Sequence, residues 1–284
     1  MFNITFENMN GKKLLFGAGS PYTITEFDGL NPPKATINTN TTATLDGGLF
    51  NSSKLEMRSI NIAFAIEEDA EKNRLAIYEV IQPKNPLRIY FASDYLDIFI
   101  DGYVEELSIP YFAKKQIVSV SVLCPRPYFN SAQEIINRLS AVIPRFHFPF
   151  ASTVVGDLVI GEIDPVTNVA VENAGSVVTG LTFELIAKNT IVNPKIIDYQ
   201  TAQYLEVNTT MQTGDQITIT TGQGNKTVKL LRNGVITNIF NLLSKNSTWL
   251  QLGVNGGVYV YEVGTGNVTD LEVNIRHYDQ YEGV

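Results

Sequence analysis

Apolar side chains recur at every second position through much of the first half of the chain. Phe2, Ile4 and Phe6 alternate with polar partners, Ile60, Ile62, Phe64 and Ile66 share one face of a run over 55–66, and Val118, Val120 and Val122 repeat the pattern within 116–123. That period marks half-buried strands. Further strands are expected at 12–16, 22–27, 87–91, 95–100 and 103–109, with Asp101-Gly102 as a hairpin turn. Residues 67–82 depart from the pattern and predict a helix. Glu67, Glu68 and Asp69 suit a helix N-terminus, Ala70, Ile77, Val80 and Ile81 fall on one side of the helical wheel, and Pro83 and Pro86 close the segment.

One stretch of the first half has strand-forming residues but no apolar face. Over 34–45, Thr36, Asn38, Asn40, Thr42 and Thr44 stand where apolar side chains usually alternate, and Asp46-Gly47-Gly48 turns the chain back. Such an arm cannot bury a face of its own. It is expected to be an exposed edge or to be completed by a neighbouring molecule, which makes those five residues candidate inter-subunit contacts.

The run Cys124-Pro125-Arg126-Pro127-Tyr128-Phe129 ends the last strand of this half, because prolines donate no ladder hydrogen bond and hold the preceding residues extended. Ser131-Ala132-Gln133-Glu134 then has capping-box spacing, and Ile135, Leu139 and Val142 form a stripe, predicting a helix over 131–142 that Pro144 ends. An aromatic connector, Arg145-Phe146-His147-Phe148-Pro149-Phe150, follows. Beyond it only strands are expected, at 154–160, 169–172, 181–187, 204–207, 216–220, 226–232, 235–243, 258–262 and 271–278. Asn233-Gly234 is a strong hairpin turn among them. The fold class is therefore mainly β: a β-rich α+β domain over 1–130, a helix and connector over 131–149, and an all-β sandwich or barrel over 150–284.

Composition narrows the chemistry. With 284 residues, 44% hydrophobic and 18% charged, the chain can bury two cores, and its net charge of −8 disfavours non-specific binding to nucleic acid or an anionic membrane. One cysteine, Cys124, excludes a disulfide framework and fits a reducing cytoplasm; it reads as a small buried hydrophobe. The N-terminus lacks signal-peptide regions and no run approaches the ~20 apolar residues of a membrane span, so a soluble chain is expected. Two histidines, His147 and His277, no zinc-hydrolase motif, no nucleophile elbow and no phosphate loop leave no catalytic, metal or cofactor site to assign. Asp97, Asp101 and Glu105 share a spacing a glycosidase pair would need, but a solvated strand face explains them better. Trp249 reads as core packing, with stacking on a sugar ring as the alternative that would make the chain a carbohydrate-binding adhesin.

The order of short motifs along the chain resembles a known family. Asp46-Gly47-Gly48-Leu49-Phe50, Arg58 opening a long strand, the acidic helix, Pro86-Leu87-Arg88-Ile89, Asp101-Gly102-Tyr103-Val104 and Cys124-Pro125-Arg126-Pro127-Tyr128-Phe129 are similar to the N-terminal domain of siphophage distal tail proteins. Asn173-Ala174-Gly175, Val192-Asn193-Pro194, Thr213-Gly214-Asp215-Gln216, Leu231-Arg232-Asn233-Gly234, Ser247-Thr248-Trp249-Leu250 and Tyr278-Asp279-Gln280-Tyr281-Glu282-Gly283-Val284 continue the likeness into the C-terminal domain. The resemblance implies a tube-protein-like first domain and a galectin-like or carbohydrate-module-like second. It implies a homo-hexameric ring at the virion tail tip, assembled in the bacterial host cytoplasm, with no enzymatic activity and no cofactor. Its implied partners are the tail tube protein, a tail-associated hub or lysin protein, and a receptor-binding protein or its carrier. DNA would pass through the lumen without specific binding, and no membrane is involved.

Overall fold

The computed structural model describes all residues except 1–2, 18, 42–43, 45, 114, 140, 145–160 and 165–167, with the backbone alone at 141–144 and 161–164. The chain divides into two compact units, Met1–Gln133 with Gln280–Val284, and Glu134–Asp279. The fold is mainly β, as the alternating pattern requires.

The first unit contains β1 (Asn3–Asn8), β2 (Lys13–Phe16), β3 (Tyr22–Asp28), β4 (Ala35–Asn40), β5 (Leu49–Leu55), β6 (Arg58–Ile66), α1 (Ala70–Val80), β7 (Pro86–Ala92), β8 (Asp97–Ser108), β9 (Ile117–Cys124) and β10 (Phe129–Ser131). Seven strands of a nine-stranded antiparallel sheet follow the order β2-β1-β7-β8-β9-β6-β3, and β10 pairs with β8 beside them. The alternating residues of the sequence supply its core: Ile60, Ile62 and Phe64 of β6, Val118 and Val122 of β9, Phe6 of β1 and Phe16 of β2 are all buried. Phe16 meets Phe64 edge-on at 4.8 Å, the arrangement favoured by the ring quadrupoles. α1 adds Ile77 and Val80 to the same cluster.

Asp101-Gly102 is not a turn. β8 runs unbroken through it, and a β-carbon at residue 102 would stand 2.6 Å from Val122 Cγ1 and 2.8 Å from Cys124 Sγ. Glycine is required there by the close approach of β9, not by a bend.

The second expectation to fail is the helix over 131–142. The chain instead forms β10, then β11 (Ile135–Arg138) and β12 (Ala141–Pro144). Ile135 and Leu139 fit a helical stripe but also share one face of a strand, so the periodicity is ambiguous. β-Branched Ile135 and Ile136 favour extended backbone, and β11 finds a sheet edge to pair with, which outweighs the nucleation cost of a short helix. Ser131 does not cap; its hydroxyl donates to the Gln133 carbonyl.

The second unit continues with β13 (Gly161–Asp164), β14 (Asn168–Val171), β15 (Thr179–Gly180), β16 (Thr182–Ala187), β17 (Ile191–Asp198), β18 (Tyr204–Glu206), β19 (Thr210–Met211) and β20 (Gln216–Thr220). β21 (Thr227–Arg232), β22 (Val235–Asn238), β23 (Gln251–Leu252), β24 (Gly257–Thr265) and β25 (Leu271–His277) complete it. One sheet has the order β11-β25-β16-β20-β21-β22, another β14-β24-β17-β18 with β19 also on β17. Their inner faces share one core, in which Phe183 of the first meets Tyr259 of the second edge-on at 5.9 Å. β17 was not expected, because Pro194 argues against a central strand; Asn193 at φ 51 carries the irregularity. The expected strand over 154–160 and the aromatic connector 145–150, His147 included, lie outside the described residues. The final residues return to the first unit as β26 (Gln280–Tyr281), antiparallel to β10.

His277, at the end of β25, is buried with its Nε2 3.4 Å from Asp279 Oδ1. Burial pushes its imidazole below the usual 6.5, against the upward pull of Asp279, the Glu172 backbone and Glu134. As pH falls, the unfolded chain therefore binds the proton first, so this contribution to stability is complete above about pH 6.5 and is lost below it. Denaturant midpoints should drop between about pH 7.5 and about pH 5.5, and drop less in His277→Gln. Identical pH dependence in the two proteins would contradict this.

Candidate assembly interface

β4 and β5 form a two-stranded ribbon of their own, paired with each other and with no other strand among the described residues. Nearly every residue in it is exposed, as the polar sequence demands. Asn38 donates to Ser52 Oγ at 3.0 Å across the ribbon, and Thr36 donates to Glu56 Oε1 at 2.7 Å at its base. Asn40 lies opposite Leu49 at the far end, Thr44 belongs to the tip, and Thr42 lies outside the described residues. The polar reading overlooked three side chains. Ile37, Leu49 and Phe50 are 62%, 57% and 67% exposed. A hairpin with no packed face is marginal in water, and these three give the ribbon something to bury against a partner.

The base of the ribbon is held by Arg58, the first residue of β6, which is 2% exposed. Its Nε donates to the Pro127 carbonyl at 2.7 Å; one terminal nitrogen donates to the carbonyls of Asn31, at 2.7 Å, and Gly29; the other donates to the Glu282 carbonyl. The guanidinium also lies over the Phe129 ring, 4.3 Å from its centroid. Four backbone carbonyls and a ring face thus surround the cation, and burial lowers its pKa from the ordinary value. Those acceptors come from the entry to the arm, the proline-containing connector and the chain's last residues. Gly29 sits at φ +104, and a β-carbon on it would stand 2.5 Å from the Ser59 carbonyl oxygen, so this approach also needs glycine. Glu56 N–H donates to the Lys34 carbonyl at 2.9 Å, and Val284 N–H to the Leu30 carbonyl at 3.2 Å, closing the base from both sides. Gln280 donates to Asn130 Oδ1 at 3.0 Å, and Tyr281 packs on the core. Cys124 lies buried beside this cluster, and burial pushes its thiol up to about 12, so it stays protonated at neutral pH.

The other candidates settle elsewhere. Asp101 forms a two-contact ion pair with Arg88 directly across the strands, Nε–Oδ1 2.6 Å and terminal N–Oδ2 3.0 Å, with the Arg88 guanidinium 4.1 Å from the Phe99 ring centroid. That is a solvated strand face stabilised by charge. Trp249, half-buried at the margin of the second core, stacks with Phe240 at 5.5 Å and 30°, and the Lys226 ammonium lies 5.3 Å from its ring centroid.

Residues 174–278 match the family model of the siphovirus-type tail component, C-terminal domain. Those residues therefore carry the signature of a siphovirus-type tail component's C-terminal domain. The whole chain is similar in fold to the Dit protein of phage SPP1, a paradigm of the hub adsorption apparatus in phages infecting Gram-positive bacteria: TM-score 0.67 at 16% identity, covering 99% of each chain. A chain of the phage P2 baseplate in its calcium-activated conformation is similar at TM-score 0.52 and 10% identity, over 97% of this chain and 98% of that one. No curated protein matches it in sequence. The resemblance drawn from the motifs is borne out, and the motifs gain a geometry: Arg58, Pro127 and Glu282 are three parts of one contact.

Removing the guanidinium leaves buried carbonyls without donors. Arg58→Met is expected to cost the first unit about 3 kcal/mol or more, and Arg58→Lys should recover little, because an ammonium cannot span the planar fork. Chemical denaturation followed by Tyr and Phe signals of the first unit checks this; a loss below about 1 kcal/mol for Arg58→Met would contradict it.

Proposed function

We propose that this chain is the distal tail, or baseplate hub, protein of a long-tailed bacteriophage or prophage, six copies of which close a ring at the tail tip. The observation that carries this reading is the β4–β5 ribbon, a strand pair with unburied Ile37, Leu49 and Phe50 projecting from a sheet whose core is already complete. In the ring each ribbon lies on the adjacent subunit, which buries those side chains and satisfies the ribbon's open edges; closure by rotation stops growth. On this reading Thr36, Asn38, Asn40, Thr42 and Thr44 contribute the polar contacts of the belt.

The ring joins the tail tube protein on one side to a tail-associated hub or lysin protein on the other, and the second unit carries the receptor-binding protein or its carrier. A structural role accounts for the residues without assigning catalysis to any of them. The net charge of −8 and the gathering of Glu26, Asp28 and Glu106 on the solvent face of β3 and β8 support a lumen through which DNA slides without being held. Assembly in the host cytoplasm suits a chain whose one cysteine is a buried thiol.

The intact chain, alone or mixed with its hub partner, should give a native mass six times that of one subunit and ring-shaped particles in negative stain. Phe50→Asp should reduce the ring fraction by about tenfold or more while leaving the thermal midpoint unchanged, because the residue is 67% exposed and lies outside the first unit's core cluster. A chain that stays monomeric under both conditions, or a Phe50→Asp variant that assembles normally, overturns the reading.

A further inference from the structure

The charge of the chain is unevenly placed. Between Asp215 and Glu262 the sequence has no acidic residue, yet carries Lys226, Lys229, Arg232 and Lys245, in a chain whose net charge is −8. Arg232 is neutralised by Asp215 at 2.5 Å. The three lysines are exposed and form no ion pair among the described residues. This basic stretch contains β22, the terminal strand of the six-stranded sheet.

β22 is an unprotected edge. Val235 and Ile236 are 64% and 67% exposed, and its four residues, Val-Ile-Thr-Asn, include no charge, proline or glycine. Natural edges are usually blunted by charge or a bulge. β3, an edge of the first unit's sheet, has both, with Glu26, Asp28 and a register shift between Ile24 and Glu26. The hydrogen-bonding direction of β22 follows from its turn. Arg232 lies opposite Val235 across Asn233-Gly234, whose φ values of 50 and 78 mark a two-residue hairpin, and Ile239 N–H donates to the Val228 carbonyl. In an antiparallel ladder the alternate residues, Ile236 and Asn238, therefore turn their N–H and C=O groups away from β21. Beside those free groups the outer face presents Leu231 with Ile236 and then Lys229 with Asn238. At the end of the strand come Phe240, 46% exposed, and Trp249 with the Lys226 ammonium over it.

We propose that β22 is a docking edge for an extended acidic segment of another protein, which adds to the sheet as a seventh strand. Main-chain bonds form at Ile236 and Asn238. Along one face of the incoming segment apolar and acidic residues alternate, the apolar ones beside Ile236 and the carboxylates beside Lys229 and Lys226. The basic, acid-free surroundings select an acidic partner over a basic one. This site lies in the second unit and is independent of the ribbon, so it stands or falls separately from ring formation.

The test uses the intact chain and a fluorescein-labelled peptide, Glu-Thr-Val-Thr-Glu-Thr-Val-Thr, with a control in which Lys replaces Glu, followed by anisotropy. The acidic peptide should bind and the Lys peptide should not. Ile236→Pro, which removes an outward donor but no ladder bond, should weaken binding about tenfold or more with an unchanged thermal midpoint. If Ile236→Pro perturbs folding, Asn238→Pro gives the same readout. Lys229→Glu should also weaken binding, and added salt should reduce it. Equal binding of the two peptides, or of the acidic peptide to wild type and both proline variants, overturns the proposal. So does sedimentation showing a dimer abolished by Ile236→Pro without peptide uptake, which would assign the edge to a second copy. Binding of dextran sulfate that depends on Lys229 and not on Ile236, without peptide uptake, would make the site a polyanion site and likewise overturns it.

Discussion

A buried cation caged by backbone carbonyls organises the first unit. The Arg58 guanidinium is dehydrated, and four carbonyl dipoles with the Phe129 ring replace its water. Carbonyls suit this role because they have no charge of their own to desolvate, yet each is costly to leave unpaired. The arrangement exists only when distant pieces of chain are in place together: the entry to the ribbon, the connector at Pro127 and the last residues at Glu282. The fork geometry explains why arginine and not lysine opens β6. It also ties the segment 125–128 to β6, because the Pro127 carbonyl is one wall of the cation's cage.

The consequence for the ribbon is mechanical. A two-stranded hairpin without a packed face needs its direction fixed at the base if it is to reach a neighbour reproducibly. Arg58, the Glu56–Lys34 and Val284–Leu30 backbone bonds and Tyr281 in the core provide that fixation. Because Gln280–Val284 follow the second unit in the chain, the base is complete only after that unit has been made. The two exposed strand pairs, β4–β5 in one unit and β21–β22 in the other, differ in character. The first is polar with isolated apolar side chains, and the second is apolar and set among lysines. They are suited to different partners.

Much of this was legible in the sequence. Half-buried strands announce themselves by alternation, so β1, β6 and β9 were visible, and Asn233-Gly234 announced its hairpin by the positive φ both positions need. The ribbon was visible because threonine and asparagine form strands but cannot form a core. What failed did so for identifiable reasons. Ile135 and Leu139 satisfy a helix and a strand equally, Pro194 hid β17, and Gly102 looked like a turn when it makes room for Val122 and Cys124. The Arg58 cage was invisible because its acceptors are backbone carbonyls, which every residue possesses. Motifs at Arg58, Pro127 and Glu282 stood out by order alone, and only the fold brings them together.

Residues 280–284 clasp the base of the ribbon through Arg58, and hydrogen exchange on a chain lacking them is the decisive measurement. Faster exchange is expected at the amides of 29–37 and at Glu56, with exchange in the second unit's core unchanged. Protection at 29–37 and Glu56 equal to that of the full chain would contradict it.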